Sequence, residues 1–225
     1  MTKISSAEIA DVIRYDNDKI IIVEKIPYLD SGSYKANYFI FNFKTLEKEV
    51  ITKSAYLLKK FGNSFNRISE VISGFAQCDS VILSDRSVFV MFPNGQCGLF
   101  DSDGELMWRD TIKYNDSVVN SLAQDGDYIW CCCRDENCVI RYSIKNRLLS
   151  DIRIGAREAK TFILPSALSS DEENIYVVCN NAKLRSINKK DFSVQDVGRP
   201  IPGLERFYRF KTHTLICTKD GAYVD

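Results

Sequence analysis

Residues 121–155 read SLAQDGDYIWCCCRDENCVIRYSIKNRLLSDIRIG, and residues 166–198 read SALSSDEENIYVVCNNAKLRSINKKDFSVQDVG. The two stretches share one plan. Each opens on a Ser and an apolar pair, then gives an acidic turn and an apolar strand, at residues 128–133 and 175–179. A polar turn, a second strand (139–144 and 184–187), a charged turn and a short last strand follow. Ile129 aligns with Ile175 and Arg141 with Arg185, at offsets of 46 and 44. A fixed period of this length is the mark of a repeat architecture.

The same plan extends in both directions. Upstream, SVFVMF at 87–92, a Pro93-Asn94-Gly95 turn, a strand at 97–100, an Asp103-Gly104 hairpin signal and a strand from Glu105 form another copy. The first copy has strands at 8–15, 20–23, 37–43 and 48–52, with a long loop at 27–36. The last has strands at 206–210, 214–218 and 222–224. Four short strands in every 40–50 residues or so predict an all-β, five-bladed β-propeller of four-stranded antiparallel blades. An evenly spaced β-sandwich or a pair of small barrels is the alternative. Blades fall at about 8–53, 70–113, 118–155, 162–198 and 204–225, forming one propeller domain over 1–225. The last copy lacks a fourth strand, and an unpaired sheet edge is a liability. Residues 2–5 are therefore expected to supply that strand and close the ring. Residues 54–72 fit least well: Tyr56, Leu57, Leu58 and Phe61 have helical spacing, and Gly62 can end a short helix.

The phrase from Leu99 to Trp108, LFDSDGELMW, resembles the blade ending of quinoprotein-type propellers. Residues 121–140 are similar to a blade of the NHL and WD-repeat families. The resemblance implies a fold and carries over no functional residue.

Composition removes several function classes. Across 225 residues, 30 Lys and Arg balance 30 Asp and Glu, so no strong electrostatic footprint for nucleic acid or anionic membrane exists. The one histidine, His213, lies in a predicted turn and leaves little for acid–base or metal chemistry. The N-terminal residues have no apolar core of a signal peptide, and the longest apolar run, 128–133, is too short to span a bilayer. A cytoplasmic chain with eight reduced thiols is expected. Cys131, Cys132 and Cys133 alternate between sheet faces and cannot converge on one metal, so no metal or cofactor is expected. Asp101 to Glu105 reads as a hairpin rather than a calcium loop, because Ile112 stands where a bidentate Glu is needed.

The turns then sort by rim. First-to-second turns carry Asp16, Asp18, Asp85, Asp125, Asp127, Asp171, Glu172 and Glu173, while Lys145, Arg147, Lys189 and Lys190 lie in third-to-fourth turns. Asp favours turns whatever the function. The sharper expectation is an acidic rim, with Asp16, Asp18, Asp125, Asp127, Asp171, Glu172 and Glu173 as partner-binding residues that steer a basic protein. The opposite rim, with 27–36, 134–137 and 198–203, is the other candidate face. Three function classes follow: a non-catalytic platform that sequesters a protein, a propeller hydrolase, lactonase or lyase, and a scaffold subunit. A small propeller without an appended domain resembles a bacterial immunity protein. That resemblance implies a folded, basic toxin, such as a nuclease, as partner.

Overall fold

The computed structural model describes residues 1–27, 34–71, 78–156, 158 and 161–225. Strand Tyr128–Cys133 is buried on both faces. Ile129, Cys131 and Cys133 pack towards Phe89 and Met91, while Trp130 and Cys132 pack towards Ile175, Val177 and Cys179. A strand apolar on both sides needs a sheet against each face, and stacking of successive blades supplies them.

Five four-stranded antiparallel sheets repeat this arrangement. Blade 1 holds β2 (Glu8–Arg14), β3 (Lys19–Pro27), β4 (Tyr34–Asn42) and β5 (Lys48–Val50). Blade 2 holds β6 (Asp79–Ile82), β7 (Val88–Met91), β8 (Gln96–Phe100) and β9 (Leu106–Thr111). A small hairpin, β10 (Lys113–Tyr114) and β11 (Ser117–Val118), precedes blade 3. Blade 3 holds β12 (Asn120–Asp125), β13 (Tyr128–Cys133), β14 (Cys138–Ser143) and β15 (Leu148–Ile154). Blade 4 holds β16 (Pro165–Ser170), β17 (Asn174–Cys179), β18 (Leu184–Asn188) and β19 (Val194–Asp196). Blade 5 holds β20 (Leu204–Arg209), β21 (Thr214–Thr218) and β22 (Gly221–Val224), and β1 (Thr2–Ser5) completes it by pairing antiparallel with β22. The chain is thus a five-bladed propeller whose N-terminal strand closes the ring.

Two local features depart from the sequence expectation, while the helical spacing read within residues 54–72 is borne out. The two ends of the predicted loop at 27–36 are strand, because β3 runs on to Pro27 and β4 begins at Tyr34; residues 28–33 lie outside the described residues. The β10–β11 hairpin was not foreseen. Its tip, Asn115-Asp116, has φ of 47° and 62°, the backbone of a tight two-residue turn that Asn and Asp tolerate. The poorly fitting stretch is helical, with α1 over Lys53–Phe61, a 3-10 turn over Gly62–Ser64 and α2 over Phe65–Val71. Thr52 caps α1 by accepting from the Ala55 amide at 3.1 Å. The helix wedges between blades 1 and 2, burying Tyr56, Leu57 and Phe61 against Ile21, Val23, Val88 and Val90. Leu58 instead points to solvent and Lys60 points inward.

All eight cysteines are free and buried within these interfaces. Burial pushes the Cys97 and Cys217 thiols up to about 12, so they behave as small apolar groups. Among the described residues no group of three His, Cys, Asp or Glu could hold a metal ion. No helix among them is long and apolar enough to cross a membrane.

Candidate functional site

The first strands of the five blades surround a central channel of about 810 Å³. Four of them, β2, β12, β16 and β20, slip register at the equivalent place near their start, between Ile9 and Asp11, Asn120 and Leu122, Pro165 and Ala167, and Leu204 and Arg206. Such a bulge leaves a residue outside the ladder. Neighbouring blades use the freed carbonyls. Arg206 Nη2 donates to Ala10 O at 3.0 Å, and Asn120 Nδ2 donates to Ser166 O at 3.3 Å. The bulges therefore staple blade 5 to blade 1 and blade 3 to blade 4.

Midway along the channel, four charged side chains meet from different parts of the chain. Lys60 of α1 donates to Asp11 Oδ2 at 2.7 Å and to the Tyr56 hydroxyl at 3.1 Å, and Tyr56 donates to the same carboxylate at 2.7 Å. Burial alone would raise the Asp11 carboxyl, but Lys60 and Arg206 outweigh it and hold the group below the usual carboxylate value. Burial would likewise lower Lys60, and Asp11 reverses that. Asp79 differs. Burial raises it above 3.8 despite the opposing Arg206, and among the described residues it accepts one hydrogen bond, from the Leu122 amide at 3.3 Å. A carboxyl raised in the folded state is relatively destabilising above its folded value, and that penalty disappears as pH falls below the unfolded value. Asp79→Asn should therefore raise the melting temperature at pH 7, with the gain shrinking towards pH 3. Equal shifts at both pH values would contradict this assignment.

The upper rim carries the first-to-second and third-to-fourth turns. All seven predicted acids lie at its first-to-second turns, in blades 1, 3 and 4, but their surroundings differ. Asp18 is paired with Lys44 at 2.7 Å, and Glu172 lies 4.0 Å from Lys211. Asp125 is turned inward, accepting from Trp130 Nε1 at 3.1 Å, with Lys189 and Arg141 at 3.6 and 3.7 Å. Asp171 closes its own turn, accepting from the Glu173 and Asn174 amides and from the Tyr176 hydroxyl. Asp16, Asp127 and Glu173 are exposed and enter none of the ion pairs among the described residues. Of the opposite rim, residues 134–137 form the β13–β14 turn and 198–203 lead from β19 into β20.

His213 stands outside the channel lining, stacked on Phe43 with ring centroids 4.9 Å apart. Sequence reasoning missed two groups on the upper rim. The first is apolar: Tyr15, Leu58 and Ile82 are each 40–46% exposed. Lys59 lies over the Tyr15 ring, and Ile82 Cδ1 lies 3.8 Å from where a Gly62 side chain would start, so Tyr15 and Ile82 flank the helical wedge that carries Leu58. The second is basic: Arg14, Lys59 and Arg209 line the upper mouth of the channel.

No family model and no curated protein sequence matches the chain. Solved structures do. A streptogramin B lyase superposes with a TM-score of 0.53 at 11% identity, covering 96% of this chain and 64% of that one. An inactive virginiamycin B lyase from Staphylococcus aureus with quinupristin gives 0.53 at 9%, over 95% and 78%. U3-55K gives 0.53 at 12%, over 98% and 61%. The chain thus spans about three-fifths of the length of the first and third of these proteins. At such identities the similarity is one of fold, that of a β-propeller.

Proposed function

We propose that this propeller is a non-catalytic binding platform that captures a folded protein on its upper rim. The observation that carries this is the exposure of Tyr15, Leu58 and Ile82, three apolar side chains on and flanking the helical wedge, with the exposed Asp16 next to Tyr15 in the chain. Apolar anchors supply most of the affinity at protein interfaces, and peripheral charge governs the rate of encounter. The mutual pairing of Asp11, Lys60 and Tyr56, and the distance of His213 from the channel lining, fit a rigid support better than a reaction centre. The partner has an apolar contact flanked by basic side chains that face Asp16, Asp127 and Glu173. Its concrete setting is toxin neutralisation, with the chain as an immunity protein.

The test uses the product of an adjacent reading frame as partner. Tyr15→Ala with Ile82→Ser should weaken binding about 10- to 100-fold, as loss of an anchor does. Asp16→Lys with Asp127→Lys should slow association and flatten its salt dependence. Asp125 and Asp171 are unsuitable for charge reversal, since both carboxylates are engaged within the fold. Unchanged affinity and on-rate in both pairs of variants would refute the rim assignment.

A further inference from the structure

The channel mouth points to a second ligand, independent of protein capture. We propose that the channel binds a small anionic molecule, a phosphate ester or carboxylate, held by Arg14, Lys59 and Arg209 at the upper mouth and extending inward towards Asp79.

The three cations come from three successive junctions around the ring. Arg14 reaches towards blade 5 and donates to Arg209 O at 3.2 Å, with its guanidinium over Phe210. Lys59 stands between the wedge and blade 1, donating to Tyr15 O at 2.7 Å. Arg209 faces blade 4, near the Tyr176 phenol and the Asp171 carboxylate that accepts from it. Neutral carbonyl oxygens position Arg14 and Lys59, and none of the three cations is in an ion pair within 4.0 Å among the described residues. Cations fixed by neutral oxygens at one mouth favour an anion there.

The carboxylates of the lining lie deeper. Asp11 and Arg14 are three residues apart on one strand, about 10 Å at the rise of an extended chain. Asp79 has the same offset from Ile82 at the rim. A molecule about 10 Å long therefore meets positive charge at one end and a hydrogen-bond acceptor at the other. Asp79 accepts one backbone bond and has capacity for a hydroxyl or amine donor. Asn120 Oδ1 and Ser169 Oγ, on two other lining residues, are buried without a hydrogen-bond partner among the described residues. The channel volume lies within the range of small-molecule sites, about 300–1,000 Å³.

Calorimetric titration at fixed ionic strength tests this, with pyrophosphate and glucose 6-phosphate as probes. Both should bind saturably with one site per chain. Arg14→Gln with Lys59→Gln should weaken both at least tenfold. Lys145→Gln with Lys190→Gln, which removes two cations from outer turns of the same rim, should weaken neither. Asp79→Asn should weaken glucose 6-phosphate and spare pyrophosphate, which does not reach so deep. Absence of saturable binding, or equal weakening by the two charge-removal pairs, would overturn the site. Equal effects of Asp79→Asn on both probes would overturn the inward pose.

Discussion

Lys60→Met is expected to destabilise the protein by about 3–5 kcal/mol, the usual result of removing one member of a buried ion pair. Lys60 is 4% exposed and Asp11 13%, so the orphaned carboxylate has little water to turn to. It keeps the Tyr56 hydroxyl and the Val12 amide, at 2.7 and 2.9 Å, but these neutral donors do not replace an ammonium 2.7 Å away. Lys60→Met with Asp11→Asn should recover most of the loss, because a neutral amide still accepts from Tyr56 and carries no charge to strand. The pH dependence has a defined sign. In the wild type the Asp11 carboxyl is held below its ordinary value, so its contribution is present above 3.8 and is lost as pH falls through the lower, folded value. In the single variant, burial acts on Asp11 without Lys60 to oppose it, and the carboxyl rises. The stability gap between the two proteins should therefore narrow as pH falls. The Lys60 contribution lies at the other extreme. Its folded value is raised, so it is fully present below 10.5 and declines only in strong alkali. Urea denaturation at pH 7 and pH 4 measures both effects; a cost under about 1 kcal/mol at pH 7, the range of exposed pairs, would mean that the pair is solvated.

Removing residues 1–6 is the second large effect, a loss on the order of several kcal/mol. β1 contributes a whole ladder to blade 5, pairing Thr2 with Val224, Lys3 with Tyr223 and Ser5 with Ala222. It also brings Ile4 into the core that joins blades 5 and 1, beside Ala222 and Val224. Gly221 gives a subtler probe. Its φ is 129°, and a Cβ there would overlap the Ser5 carbonyl oxygen. Gly221→Ala thus meets both a backbone conformation that side chains avoid and a steric block against the closing strand. Thermal melts should fall clearly for both changes, and a synthetic peptide of residues 1–7 should restore the truncated protein but not the Gly221 variant. An unchanged melting temperature on truncation would mean that the closure contributes nothing to stability.

The repeat was legible because it is written locally. Each blade alternates apolar strands with Asp, Asn and Gly turns, and those signals need no knowledge of distant residues. Even the opposite faces of Cys131 and Cys132 follow from strand geometry alone. The charged centre of the channel was not legible for the converse reason. Lys60 sits in a Lys59-Lys60 pair that looks solvated, and only the packing of α1 between two blades takes one lysine inside while its neighbour goes to the rim. Asp11, Asp79 and Arg206 lie on three different blades, with no spacing to connect them. The acidic turns were found for a local reason, and their ion pairs lie beyond local reach. Lys44 approaches Asp18 once blade 1 is folded, and Lys189 and Lys211 approach Asp125 and Glu172 only when neighbouring blades are stacked.

The β1–β22 pairing also imposes an order on biosynthesis. Residues 2–5 leave the ribosome more than 200 residues ahead of their partners at 221–224. At about 5–20 residues per second, the first strand waits on the order of 10–40 s for its mate. Blades 1, 2, 3 and 4 contain all their own strands and can assemble during that interval, but blade 5 cannot. During translation the nascent chain is thus an open arc with two unsatisfied ends. A slower ribosome lengthens the exposure of those ends to other chains, and codon usage between the two paired segments becomes a determinant of yield.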